Sequence, residues 1–206
     1  MRAFQLEKLL TGPGYFVTGT DTGVGKTWVS CRLAEAARAK GLRVGVLKPA
    51  ESGQGGDAVA LKRASACPLP LAVLRPYAFK DALAPAVAAA RAGRRVSLSA
   101  IVRAFKTVMS VSDFMLVEGA GGLLVPYGRG LDGASIAKAL GLPLLVVARP
   151  GLGTINHCLL TLEAARMRGL QVRAVVLSGP APTRDASVLS NAGQIAKLGG
   201  VEVFSA

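Results

Sequence analysis

Short, uniformly apolar runs alternate along this chain with segments of helical periodicity, and that order confines it to an α/β fold on a mostly parallel sheet. The runs fall at residues 15–18, 43–47, 114–117, 144–148 and 172–177, with a weaker one at 201–204. Most lack polar alternation, so helices must cover both faces of the sheet. Periodicity and end signals predict helices over 26–39, 57–65, 84–92, 97–110, 132–140, 154–168 and 185–198, with Gly41 and Gly169 as stops. Residues 65–85 carry Pro68, Pro70, Pro76 and Pro85 and are expected to form an irregular surface connection wrapping the sheet. No repeat or low-complexity linker divides residues 1–206, which predicts a single domain.

Composition narrows the function. The chain is 51% hydrophobic but only 5% aromatic, so packing must rely on Ala, Val and Leu. Its longest apolar runs, such as 142–148, fall far short of the roughly 20 residues of a membrane span. Residues 1–10 mix charge with apolar side chains and offer no secretory core, and Cys31, Cys67 and Cys158 are few and scattered; a reducing, cytoplasmic location is expected. The single His157 reads as a helix-face residue and could not complete a zinc site with these cysteines. A formal charge of +13 invites a nucleic-acid reading, yet the basic residues are dispersed, without long runs or interleaved aromatics. They predict a solvated surface that attracts anionic small molecules, with no nucleic-acid or membrane partner.

The sharpest chemical signal is Gly19-Thr20-Asp21-Thr22-Gly23-Val24-Gly25-Lys26-Thr27, which follows an apolar run and opens a helix. That context suits a phosphate-binding loop: backbone N–H groups and a helix N-terminus surround an anion, and a lysine reaches it. Lys26 is expected at the β- and γ-phosphates, and the Thr27 hydroxyl at Mg²⁺. The strict pattern needs glycine at 20, where Thr20 stands, so the loop is a variant.

Ligands of parallel sheets gather beyond the carboxyl ends of the strands, and three further groups fall there. Lys48 ends the second run and becomes a second cation at the transferring phosphoryl group, or an exposed strand-end lysine. Asp57 follows Gly53-Gln54-Gly55-Gly56 and opens a helix, either as an ordinary cap or as a metal ligand. Glu118 ends the apolar run 114–117 before Gly119-Ala120-Gly121-Gly122, where a carboxylate could hold Mg²⁺ and the following N–H groups could face a ligand. A second helix start, at Gly153-Thr154-Ile155-Asn156, reads equally as an anion site or as a helix capped by Thr154.

Four segments in register carry a resemblance: Gly-Thr-Asp-Thr-Gly-Val-Gly-Lys-Thr at 19–27, Lys-Pro-Ala-Glu-Ser-Gly at 48–53, Val-Glu-Gly-Ala-Gly-Gly-Leu-Leu-Val-Pro at 117–126 and Gly-Leu-Gly-Thr-Ile-Asn-His at 151–157. Together they resemble the dethiobiotin synthetase family over about residues 13–180. The resemblance implies a single-domain P-loop NTPase that uses ATP and Mg²⁺ to convert 7,8-diaminononanoate and CO₂ to dethiobiotin. It implies Lys48, Lys26 and Thr22 as the catalytic groups, with Ser52 beside them around the carbamate. It implies nucleotide contacts from Gly23, Val24, Gly25, Lys26, Thr27 and Trp28, and from Asp57, Glu118, Gly119, Ala120, Gly121, Ser178 and Gly179. Thr27, Asp57 and Glu118 correspond to metal ligands, and Gly121 and Gly122 to substrate contacts. Gly153, Thr154, Ile155 and Asn156 correspond to a helix start that receives the substrate carboxylate across a homodimer interface.

Three departures bear on that transfer. Ser178 stands where the family commonly has an asparagine reading the adenine edge, which implies relaxed base selectivity. The Ser52–Asp57 connection is short and glycine-rich, and the sequence ends at Ala206, before a proline-containing segment that usually covers the base. A partitioning-type ATPase is the competing reading, but it usually carries an additional lysine early in the loop, where Thr20-Asp21-Thr22 stand. Amidotransferase-like synthases need a glutaminase domain for which 206 residues leave no room.

Overall fold

A computed structural model describes residues 6–179 and 187–206. Among them, six strands pair in parallel as one central sheet, whose members in chain order are β1 (Gly14–Gly19), β2 (Val44–Leu47), β5 (Phe114–Gly122), β8 (Leu144–Ala148), β9 (Val172–Leu177) and β10 (Glu202–Ser205). The spatial order is β10-β9-β8-β1-β5-β2. β1 therefore lies inside the sheet, flanked by β5 and β8, and all six of its residues are buried. Side-chain alternation divides β9 between two cores: Val175 and Leu177 pack with Cys158, Leu162 and Ile195, whereas Ala174 and Val176 join the larger core. Both faces are thus covered, as the lack of polar alternation requires.

Helices α1 (Lys26–Ala39) and α2 (Asp57–Ser65) coincide with their predicted spans. The helices α4 (Pro85–Arg91), α5 (Leu98–Met109), α6 (Gly133–Leu140) and α7 (Thr154–Met167) are shorter than predicted by a residue or two, because the outermost predicted residues are caps. Ser97 and Asp132, for example, accept hydrogen bonds from the N–H groups of Ala100 and Ser135. Helix α8 is described over Ser187–Gly199; its predicted start at 185 lies outside the described residues.

Two expectations need correction. Residues 65–85 are not an irregular surface strap: helix α3 (Leu71–Leu74) and strand β4 (Tyr77–Phe79) lie within them, and Leu74, Tyr77 and Phe79 are buried. β4 pairs in parallel with β3 (Ala50–Ser52), and the Arg94 guanidinium stacks over both aromatic rings of β4. The prolines punctuate these short elements: Pro70 is the N-cap of α3, and Pro76 separates α3 from β4. The second correction concerns β5, which continues through Glu118 to Gly122 instead of ending before it. Gly119 serves packing, since a Cβ there would lie 3.1 Å from the Phe16 ring, while Gly122 lies beside the Gly19 carbonyl, to which a Cβ would make ordinary contact at 3.4 Å. A two-stranded antiparallel ribbon follows, β6 (Pro126–Gly128) with β7 (Leu131–Asp132).

Candidate active site

The phosphate loop joins the carboxyl end of β1 to α1. Gly25 is the N-cap of α1 in left-handed conformation (φ 94°) and supplies no side-chain cap, and the start of α1 points into the cavity's loop side, the kind of helix end that suits an anion. A Cβ on Gly19 would lie 2.6 Å from the Asp21 carbonyl oxygen and 3.0 Å from Lys26 Nζ; the loop turns so tightly over this position that only glycine fits. Lys26 Nζ donates to that same Asp21 carbonyl at 2.9 Å, which fixes the ammonium across the mouth of the loop. Burial, followed by the nearby Lys48 cation, lowers the Lys26 pKa below its ordinary value, against opposition from Glu118, Asp57 and Asp21.

Directly beneath, side chains from three elements and one strand end converge. Lys48, at the end of β2 and 4% exposed, donates to Asp57 Oδ2 at 2.6 Å and to Glu118 Oε1 at 2.5 Å. Thr27, from the first turn of α1, donates to the same Glu118 oxygen at 2.9 Å. Burial works against the Lys48 charge, but the Glu118 and Asp57 carboxylates outweigh it and hold the lysine above its ordinary pKa. For Asp57, burial is likewise outweighed, here by Lys48, and its pKa is lowered. Glu118 itself is completely buried, and its second oxygen, Oε2, has no hydrogen-bond partner. An unpartnered buried carboxylate oxygen is costly unless a cation or donor completes it.

These groups floor and edge a cavity of about 630 Å³. Of the residues singled out from sequence, Thr22, Gly23, Gly25, Lys26, Thr27, Trp28, Lys48, Ser52, Asp57, Ala120 and Gly121 line it. Others do not. Val24 is buried, Glu118 lies under the floor, and Gly119 and Gly122 pack against β1 and its loop. The expectation that N–H groups after Glu118 face a ligand fails at Ala120, whose N–H donates to the buried Tyr127 hydroxyl at 2.7 Å. Ser178 is buried with its hydroxyl toward the loop, where a Cβ on Gly25 would lie 2.5 Å away; neither it nor Gly179 borders the cavity.

Gly153, Thr154, Ile155 and Asn156 also stand apart from this cavity. Gly153, not Thr154, is the N-cap of α7, and Thr154 is fully buried with its hydroxyl 3.7 Å from Cys158 Sγ. Asn156 is exposed, and His157 is a half-buried residue of α7, as read from sequence. Sequence reasoning missed the remaining wall, formed by Ala82, Leu83, Ala84, Pro85 and Val125, and a buried pair between Glu51 and Arg75. Glu51 stands inside the quoted Lys48–Gly53 segment, and a carboxylate between Ala50 and Ser52 on a strand was the available signal.

Among the described residues, no group of three or more His, Cys, Asp or Glu side chains could hold a metal by itself. Nor is any of their helices long and apolar enough to cross a membrane.

Comparison with known proteins shows which family the chain belongs to. A family described as AAA domain matches residues 13–206. The ATP-dependent dethiobiotin synthetase BioD of Anaeromyxobacter sp. (strain K) is 51% identical over 189 residues, covering 90% of this chain and 85% of the relative. The protein of that name from Bacillus thuringiensis (strain Al Hakam) is 43% identical over 196 residues, covering 93% and 81%. The chain belongs to the dethiobiotin synthetase family. Solved structures support the fold: the signal recognition particle 54 kDa protein of Aeropyrum pernix K1 in complex with GDP aligns with TM-score 0.59 at 16% identity, covering 95% of this chain and 42% of that one. The signal recognition particle receptor FtsY of Elizabethkingia anophelis aligns with TM-score 0.55 at 18% identity, covering 89% and 56%. The dethiobiotin synthetase family thus appears here on a P-loop NTPase scaffold, with a lysine held between two carboxylates at its centre.

Proposed function

We propose that this chain, acting as a single domain over residues 1–206, is a cytoplasmic ATP-dependent dethiobiotin synthetase. The observation that carries the reading is the convergence of Thr27, Lys48, Asp57 and Glu118 directly under a phosphate loop, in a chain of this family. One amine of 7,8-diaminononanoate adds to CO₂ and loses a proton, giving a carbamate. A carbamate oxygen attacks the γ-phosphorus of ATP and expels ADP. The second amine then attacks the carbamoyl carbon, closing the cyclic urea with loss of phosphate and a proton.

Positioning and charge stabilisation are the protein's share of this chemistry. The N–H groups at the start of α1 and the Lys26 ammonium hold the β- and γ-phosphates. Thr22 and Ser52 flank the cavity where the carbamate would lie; the Ser52 hydroxyl is buried without a partner, as a group awaiting a ligand should be. Lys48 places its charge beside the transferring phosphoryl group. Ala82 to Pro85 and Val125 offer an apolar wall to the substrate's alkyl chain.

Thr27, Asp57 and Glu118 suit Mg²⁺. They are oxygen donors, Glu118 Oε2 is unpartnered, and Mg²⁺ in nucleotide sites takes only one or two carboxylates beside phosphates and waters. When bound, the ion neutralises charge on the phosphate oxygens. Gly153 to Asn156 are assigned to the substrate carboxylate of a second subunit's cavity in a homodimer, a reading supported by their separation from this chain's own cavity and the exposure of Asn156.

Purified protein supplied with diaminononanoate, bicarbonate and Mg·ATP should yield dethiobiotin and ADP in equal amounts, measured by mass spectrometry. ATP turnover indifferent to the diamine would refute the assignment. The shared site has its own test: an Asn156→Ala, Thr154→Ala chain mixed with Lys48→Ala chains should regain part of the activity that each lacks alone.

A further inference from the structure

The chemistry above gives no task to Glu51, a carboxylate 4% exposed in the wall of the cavity. Its two oxygens are divided. Oε2 receives Arg75 Nη1 at 2.5 Å, and Oε1 accepts the N–H of Ala58 at 3.2 Å. Ala58 is the second residue of α2, a helix whose N-cap is Gly56 and which therefore has no cap of its own. Glu51 supplies that cap from a different element, and a carboxylate at a helix N-terminus is favoured by the helix dipole as well as by the hydrogen bond.

Asp57, the partner of Lys48, is the residue immediately before Ala58. The glycine connection leading into it rests on the same carboxylate: a Cβ on Gly55 would lie 3.0 Å from Glu51 Oε1. At the other end of the connection, Gly53 has φ 84° and donates its N–H to the Phe79 carbonyl at 3.0 Å. The route into Asp57 is thus pinned at one end by β4 and at the other by Glu51, which Arg75 holds in place. Three of the four residues in this connection are glycines, which have no side chains with which to set its path.

We propose that Glu51 is a positioning residue for the metal side of the site, with Arg75 as its anchor: it fixes the start of α2 so that Asp57 meets Glu118 and Thr27 at the spacing a divalent cation needs. The inference rests on the proposed function, in which Asp57 serves the metal. A purely structural ion pair is the competing account, and the two differ in what they couple to. Loss of a structural pair lowers stability and leaves the metal's effect on nucleotide binding intact. Loss of a positioning pair removes that effect.

The experiment is calorimetric binding of a non-hydrolysable ATP analogue, with and without Mg²⁺, to wild type, Glu51→Gln and Arg75→Gln. Gln at 51 keeps the size and an acceptor, and Arg75 is partly exposed, so both variants test the idea in folded protein; thermal unfolding checks this. Both should lose about 10- to 100-fold of the affinity that Mg²⁺ confers, the range seen when support behind metal ligands is removed. Their affinity for the metal-free analogue should stay near the wild-type value. Full retention of the Mg²⁺ gain in both variants, or an equal loss with and without metal, overturns the inference while the proposed function stands. A wild type whose affinity is unchanged by Mg²⁺ overturns both.

Discussion

Replacing Lys48 with methionine keeps the chain length and removes the charge. In the ligand-free protein this leaves the fully buried Glu118 and the part-exposed Asp57 without the cation they share. Removing one partner of a buried pair costs about 3–5 kcal/mol, because the other charge stays buried and uncompensated. The Asp57 half is 39% exposed and adds little to that figure. In a domain of this size each kcal/mol moves the melting temperature by about 2–4 °C, so the variant should melt roughly 6–20 °C lower. Under the proposed function, Mg²⁺ would bring positive charge to the same carboxylates. Saturating magnesium should therefore raise the melting temperature of Lys48→Met by more than that of wild type, and recover part of the loss. Thermal unfolding followed by circular dichroism, in chelator and in magnesium, reads both quantities. Turnover should remain about 10²- to 10³-fold down even in magnesium, since in the proposed reaction the lysine also faces the transferring group. A variant as stable as wild type in chelator, or equal stabilisation of the two proteins by magnesium, would show that Lys48 is not the counter-charge of the proposed metal ligands.

Three further outcomes are expected. Lys26 titrates below its ordinary value in the free protein, and phosphate oxygens would raise it again; above the free-state pKa and below about 10.4, nucleotide binding should take up a proton and weaken as pH rises. Calorimetry in buffers of different ionisation heats measures this uptake, and none in that window would rule out a Lys26–phosphate contact. Gly25→Ala adds a Cβ 2.5 Å from Ser178 Oγ at φ 94°, a strain of about 1–3 kcal/mol for the backbone alone, and should abolish nucleotide binding in equilibrium dialysis; unchanged affinity would mean that the loop does not hold the phosphates in this shape. Tyr127→Phe removes the acceptor of the Ala120 N–H and should cost about 1–3 kcal/mol in urea unfolding, with a midpoint identical to wild type as the contrary result.

What could be read from the sequence follows from how local each signal is. α1, α2, β8 and β9 coincide with their predicted spans because apolar period, caps and glycine stops agree within each segment. The phosphate loop and Lys48 were legible because strand ends in a parallel sheet share one rim, Asp57 because it opens a helix after a glycine run, and Glu118 because it is a carboxylate directly after an apolar run. β3 and β4 were not: strands of three residues carry too little alternation to register, and their pairing joins residues far apart in the chain. The extension of β5 was hidden for the opposite reason, since Gly119, Gly121 and Gly122 look like a loop until Phe16 and Gly19 are placed against them. Ser178 was assigned to a base edge by position along the chain, and no periodicity announced that its hydroxyl lies against Gly25 of the loop. Tyr127 and Glu51 each act through a backbone N–H seven residues away, which no spacing rule announces.

The central placement of β1 also bears on how the two sides of the cavity breathe. Its amides are laddered to neighbours on both sides, so the stem of the phosphate loop should open to solvent only when the whole domain does and exchange its hydrogens last. The opposite bank leans on β3 and β4, three residues each and paired only with one another, whose amides should exchange at lower free energy. The triphosphate would then land on rigid ground, while local opening adapts the facing bank to whatever second molecule arrives.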